Sequence, residues 1–217
     1  MATFAATLAE LKRLERSLPQ KQLNQFVVFN KAYLIVTVTI QQAALDGYFQ
    51  HPKFIEKFSA CFASYYFTAI KDNNSPKLAP AWTLLNQAGK HKTPNFVLLL
   101  MGANAHINHD LPLTLVEMLD DTKLNGLVKD VLKIDKLLMR CGRDILDTFD
   151  EPNKLLNWLK RHAAFLYYRP AMYMILYWRF RAWHNYMLIK KHGLKDSNYT
   201  RYSIRVAKRF RIFWRRK

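Results

Sequence analysis

The sequence predicts an all-α protein: a single-domain multi-helix bundle over residues 1–193, followed by a basic amphipathic C-terminal helix within residues 194–217. Three observations carry this expectation. Six glycines and eight prolines are few for 217 residues that are 50% hydrophobic, a composition that favours long helices over a loop-rich β architecture. Apolar residues recur at spacings of three and four along most of the chain, the period of one helical face. Charge divides unevenly: residues 1–152 carry 17 Lys/Arg against 15 Asp/Glu, whereas residues 153–217 carry 17 against the single acid Asp196.

Residues 3–17 read as a short amphipathic helix that stops before Pro19. Over residues 24–46, Phe26, Phe29, Tyr33, Val36, Ile40 and Ala43 keep the helical period on both sides of the β-prone "VTVTI", which favours helix there over the alternative of a strand. "DGYFQHP" makes a turn, and residues 53–71 give a third helix with Phe54, Phe58, Phe62, Tyr65 or Tyr66, and Ala69 inward. The Asn, Ser and Pro content of "KDNNSPKLAP" marks a loop, followed by a short helix around Trp82 and a second loop, "GKHKTP". The next helix runs from Asn95 to His109, where Pro112 forces a kink or a fresh start. Leu127, Val131, Ile134, Leu138, Ile145 and Phe149 form the apolar stripe of a helix over 124–149. Helices over 153–163 and 168–192 complete the domain, the second broken by Gly193.

Composition also excludes several function classes. Cys61 and Cys141 stand 80 positions apart in apolar helical patterns, which rules out a disulfide framework or a four-thiolate zinc site and leaves two reduced core thiols. The first residues, "MATFAATLAELKRLERSL", contain Glu10 and Glu15 and lack a continuous apolar stretch, so an intracellular protein is expected. No segment reaches the ~18 to 20 uninterrupted apolar residues of a membrane span. A phosphate-binding glycine loop, a nucleophile elbow, a HExxH helix and a CxxC pair are all missing, which argues against the chemistries that depend on them.

The stretch "GANAHINHDLPL", residues 102–113, follows the apolar run "FVLLLM" and carries the candidate site. On a helix His106, His109 and Asp110, spaced i, i+3 and i+4, fall within one arc. Imidazole and carboxylate together would suit a divalent metal ion such as zinc, iron or manganese. The same groups would equally form an acid/base pair, Asp110 orienting His106. Asn104 and Asn108 project from the opposite side, and Gly102 with Ala103 makes the helix thin enough for close approach. A structural reading competes: Asp110 as the N-cap of a helix restarting at "LPLTLVEML", and His106 as a hydrogen-bonded core residue. Asn30, Tyr33 and Thr37 share a face of the second helix, Asp46 and His51 flank its end, and Arg179, Trp183 and His184 offer polar handles on the long later helix. An enzyme would take a small or lipid-like molecule into a pocket lined by Tyr33, Tyr65, Tyr66 and Trp183.

"LLLMGANAHINHDLPL" resembles the core of a bacterial family of uncharacterised proteins, a domain of unknown function with the phrase Gly-x-Asn-Ala-His-Ile-Asn-x-Asp-Leu. "FNKAY" at 29–33, "FASYYF" at 62–67 followed by Ala69, Trp82, and "RFRAW" at 179–183 look like its other recurring blocks, in the same order. The resemblance covers most of residues 25–190 and implies a helical domain with Asn104, His106, Asn108, Asp110 and Arg179 as site or network residues. The family varies at His109, which shifts weight to His106 with Asp110. An arginine is common at the position of Tyr65, and the tail after residue 193 lies outside the pattern.

Residues 199–217, "YTRYSIRVAKRFRIFWRRK", hold eight Lys/Arg and no acid. As a helix they place Tyr199, Tyr202, Val206, Phe210, Phe213 and Trp214 on one arc and Arg201, Arg205, Lys208, Arg211 and Arg215 on the other. Such a helix suits an anionic membrane surface or docking into a larger protein complex, with nucleic acid a weaker fit because no nucleic-acid-binding module precedes it.

Overall fold

The computed structural model describes residues 3–119, 124–147, 154–196 and 198–210. Among these there is no strand, and the elements are α1 (Phe4–Gln20), α2 (Asn24–Leu45), α3 (Pro52–Lys71), α4 (Pro80–Gly89), α5 (Asn95–Ala105), a π-turn (His106–Asp110), α6 (Leu111–Met118), α7 (Leu124–Asp147), α8 (Lys154–His162), α9 (Ala164–Asp196) and α10 (Thr200–Phe210).

Thr3 caps α1 by accepting the Ala6 N–H at 3.2 Å, and Pro52 and Pro80 open α3 and α4, where a proline loses no helical hydrogen bond. α1 runs to Gln20 and includes Pro19 in its last turn, three residues beyond the expected stop. "VTVTI" is helical throughout. Its Thr37 and Thr39 hydroxyls donate to the carbonyls four residues back, at 2.7 and 2.9 Å, and so find partners inside the helix.

α2 is the central element, packed against α1, α3, α4, α5 and α7. It is also the one described helix long and apolar enough to cross a membrane by length and composition. Phe26, Phe29 and Tyr33 face Tyr66 of α3 and Trp82 of α4 in an aromatic cluster with ring centroids 5.1 to 6.4 Å apart. Tyr66, not Tyr65, is the inward member of its pair. Val131, Ile134, Leu138 and Ile145 form the buried stripe of α7 as expected; Phe149 lies outside the described residues.

Asp130, fully buried, clasps the α2–α3 turn to α7. Its carboxylate accepts the Gln50 N–H at 3.0 Å, the His51 N–H at 2.6 Å and His51 Nδ1 at 3.2 Å, and Lys133 Nζ donates to it at 3.0 Å and to the Tyr48 carbonyl at 3.0 Å.

α9 bends at Gly193, where φ is 76°, a left-handed backbone that glycine adopts without steric cost. Beyond it α10 turns back to pack on α4, α5 and the π-turn. Ser203, Val206 and Ala207 are buried there, while Arg201, Arg205 and Lys208 are exposed. Four residues assigned to this basic surface, Arg211, Phe213, Trp214 and Arg215, lie outside the described residues.

Candidate functional site

Pro112 does not restart the chain behind an N-cap. The helix continues from α5 into α6 through a π-turn, in which the Leu111 N–H donates to the His106 carbonyl five residues back. A proline removes one i→i−4 hydrogen bond, and a widened turn directly upstream is a place where a helix absorbs that loss. Asp110 has helical backbone angles and makes no side-chain cap, so its carboxylate is free for other partners.

Those partners are side chains from two elements. His106 Nδ1 lies 2.9 Å from one carboxylate oxygen of Asp110 and His109 Nδ1 lies 2.7 Å from the other. Trp82 Nε1–H donates to both, at 3.3 and 3.4 Å. A carboxylate only accepts, so each imidazole presents Nδ1–H to Asp110. Burial alone pushes Asp110 upward, but the hydrogen bonds from His106 and His109 outweigh it and hold the carboxyl below its ordinary value. For His106 burial is the leading cause and lowers its pKa despite Asp110. A neutral imidazole therefore sits on an ionised carboxylate.

The two Nε2 atoms have different surroundings. His109 Nε2 meets the Tyr199 hydroxyl at 3.4 Å, at the start of α10. Burial, with Asp110 nearby, raises the Tyr199 phenol to about 12, so it remains a donor. His106 Nε2 is buried and has no hydrogen-bond partner. The ring is fixed by Phe62, stacked on it with centroids 3.6 Å apart and planes within 10°, and by Tyr33, edge-on at 4.7 Å.

His106 lines a cavity of about 110 Å³ between α2, α3, α5, α7 and α9. Its walls are almost wholly apolar, with Tyr33, Phe62, Leu100, Leu138 and Met172 among them. On the other side of the π-turn, His109 and Asp110 border a shallower cleft with Tyr65, Asp72 and Lys77. The triad is thus a partition between an apolar interior and a polar opening.

The remaining candidates separate into supports. Gly102 admits the Phe29 ring, since a Cβ there would fall 2.6 Å from Phe29 Cγ. Asn104 Nδ2–H donates to the Ser203 carbonyl at 2.9 Å and Asn108 Nδ2–H to Asn104 at 3.0 Å, so this pair locks α10 onto α5. Asn30 Nδ2–H donates to the Leu11 carbonyl at 3.0 Å and accepts the Tyr66 hydroxyl at 3.2 Å, tying α1 to α3 away from the triad. Arg179 lines the cavity, paired with Asp135 and donating to the Val131 carbonyl at 3.2 Å. Of the expected pocket aromatics, Tyr33 lines the cavity, Tyr66 packs behind it, and Tyr65 turns to the outer cleft and donates to Glu117 at 3.1 Å. Trp183 is not a cavity residue; it packs on Tyr186. Asp135, Trp82 and Phe62 are the site residues that the sequence did not assign to the site; Trp82 and Phe62 had a signal, each within a block of the resemblance.

The donor set does not suit the expected metal ion. Both Asp110 oxygens are taken up by His106, His109 and Trp82, and among the described residues no group of three His, Cys, Asp or Glu is arranged to hold one. Cys61 and Cys141 are free thiols, and burial pushes them up to about 12 and about 11, where they are inert at neutral pH.

No curated protein and no solved structure matches the chain. A family model of unknown function spans residues 4–211, so the basic segment after residue 193, expected to fall outside the family pattern, lies inside it through α10. The chain belongs to that family, the family of unknown function DUF5995.

Proposed function

We propose that the protein takes a small, uncharged, apolar molecule carrying one hydroxyl into the cavity, with His106 as proton acceptor and Asp110 as the residue that orients it. The observation that carries this reading is the bare His106 Nε2, buried without a partner in the wall of an apolar cavity. An unsatisfied buried acceptor costs about 1–3 kcal/mol, and a ligand hydroxyl donating to it recovers that cost. Charge sets the ligand class: His106 is neutral, and Arg179 is balanced by Asp135, so no unpaired cation is there to receive an acid. Size is bounded by the volume: about 110 Å³ is less than the ~150 Å³ apolar cavity that accepts benzene, so a single ring such as phenol is the upper limit of ligand size.

The constellation is that of a general base. On proton abstraction the ligand O–H bond breaks, the proton goes to His106 Nε2, and the electron pair stays on the ligand oxygen. The imidazolium so formed is stabilised by Asp110, which is already ionised and held by Trp82 and His109. Phe62 and the apolar walls exclude water from the exchange. No step needs a metal ion.

Phenol, benzene and benzoate test this directly by titration calorimetry. Phenol should bind about tenfold more tightly than benzene, the worth of one hydrogen bond, and benzoate should not bind measurably. His106→Phe should bind phenol and benzene alike. Equal affinities of the unsubstituted protein for phenol and benzene would reject His106 as the anchor.

A second reading rests on a different observation. α10 buries its apolar side on the bundle and turns Arg201, Arg205 and Lys208 outward, which favours contact with an anionic membrane, a larger complex or, less well, nucleic acid. Reversing those three charges should remove such an association without altering the cavity.

A further inference from the structure

We propose that the outward face of α9 is the surface on which the protein lies against an anionic membrane. Large exposed apolar side chains are concentrated on this helix: Leu166, Tyr173, Tyr177, Phe180 and Met187 are all more than half exposed, Phe180 at 69%. Leu166, Tyr173, Phe180 and Met187 stand seven residues apart, and Tyr177 lies one turn beyond Tyr173. A seven-residue spacing drifts only about 20° per repeat on a straight helix, so these side chains form one continuous stripe. A contiguous apolar stripe left in water marks a binding surface rather than chance exposure.

Charge identifies the occupant. Arg169, Lys191 and Lys195 are exposed along α9, and from residue 153 onward Asp196 is the only acid. Tyr177 meets Tyr202 of α10 with centroids 6.3 Å apart, so the stripe adjoins the helix that exposes Arg201 and Arg205. A second copy laid on the stripe in either direction would bring basic residues against basic residues. An anionic lipid surface instead gains about 1 kcal/mol for each basic residue brought near it, while tyrosine and phenylalanine rings enter the headgroup boundary. The site of contact differs from that expected for the tail helix, because the apolar residues of α10 are already spent on the bundle. None of the stripe residues lines the cavity.

Flotation with phosphatidylcholine and phosphatidylcholine–phosphatidylserine vesicles tests the proposal, with folding followed by thermal melting. The full chain should float with the phosphatidylserine vesicles alone and be released by salt. Tyr173→Ser, Phe180→Ser and Met187→Ser together should weaken partitioning roughly tenfold or more, whereas removal of residues 211–217 should leave most of it. Phe180→Trp keeps the stripe apolar, and brominated lipid should quench its fluorescence, read as the difference from the unsubstituted protein with its five native tryptophans. Absence of flotation, flotation unchanged in the triple variant, loss only with residues 211–217, or an unquenched Trp would each overturn the proposal. So would a dimer in solution that the triple variant dissolves, which would assign the stripe to a second copy.

Discussion

Asp110 and Asp130 are both buried carboxylates that accept a hydrogen bond from a histidine Nδ1, yet their neighbourhoods are built for different ends. Asp130 spends its oxygens on two backbone amides, Lys133 and His51, and the His51 side chain is 46% exposed. Asp110 is served by side chains alone, and His106, its nearly buried partner, ends in a nitrogen with no hydrogen bond. The same chemical pair thus closes a turn in one place and aims a free acceptor away from the carboxylate in the other. What separates a clasp from a site is the fate of the second ring nitrogen.

Removing the Asp110 carboxylate has the largest expected effect. Asp110→Ala strands three N–H donors in the core and should cost ~3–5 kcal/mol in chemical denaturation. Acid should reach a similar loss by titration. The folded-state pKa of His106 lies below its usual value near 6.5, so the unfolded chain takes up that proton first and stability declines as pH falls through that range. Asp110 and Asp130 are also held low, Asp130 because the Gln50 amide, Lys133 and the His51 amide together outweigh its desolvation. Their contribution is present above pH 3.8 and is lost as pH falls below it. A denaturation series across pH should therefore decline in two stages, and His106→Phe should remove the upper one.

Asp130→Ala should cost about 1–3 kcal/mol, because Lys133 and His51 can turn to water, and it should leave phenol affinity unchanged. A change in that affinity would make the clasp part of the site. His106→Phe should cost about 1–2 kcal/mol, since Asp110 keeps Trp82 and His109, while removing the preference for phenol over benzene. Smallest is Asn108→Ala, at about 1 kcal/mol, because its Oδ1 already lacks a partner and only the bond to Asn104 is lost.

Much of this was legible in the residues. Spacing alone placed His106, His109 and Asp110 together and sent Asn104 and Asn108 to the other face, because a π-turn leaves the i, i+4 relation usable. The turn itself left no mark, and Pro112 was read as a break because sequence shows the missing N–H but not the wider turn that accommodates it. Trp82 and Phe62 reach the triad from other helices, so no local spacing announces them. The exposed stripe of α9 is hidden for a related reason: "PAMYMILYW" carries no charged residue to mark an outward face, and only packing decides that Ala171, Met172 and Trp178 go inward while Tyr173 and Tyr177 stay out.

The central claim is that His106 is a neutral imidazole with Nδ1–H on Asp110 and a bare Nε2. Two-bond proton–nitrogen correlation of the histidine rings, followed through a pH titration, measures this residue by residue. The account predicts an unprotonated Nε2 for His106 at neutral pH, persisting below the ordinary histidine value near 6.5, and a shift of that nitrogen alone when phenol binds. A protonated Nε2 at neutral pH, whether as the other tautomer or as imidazolium, would contradict it.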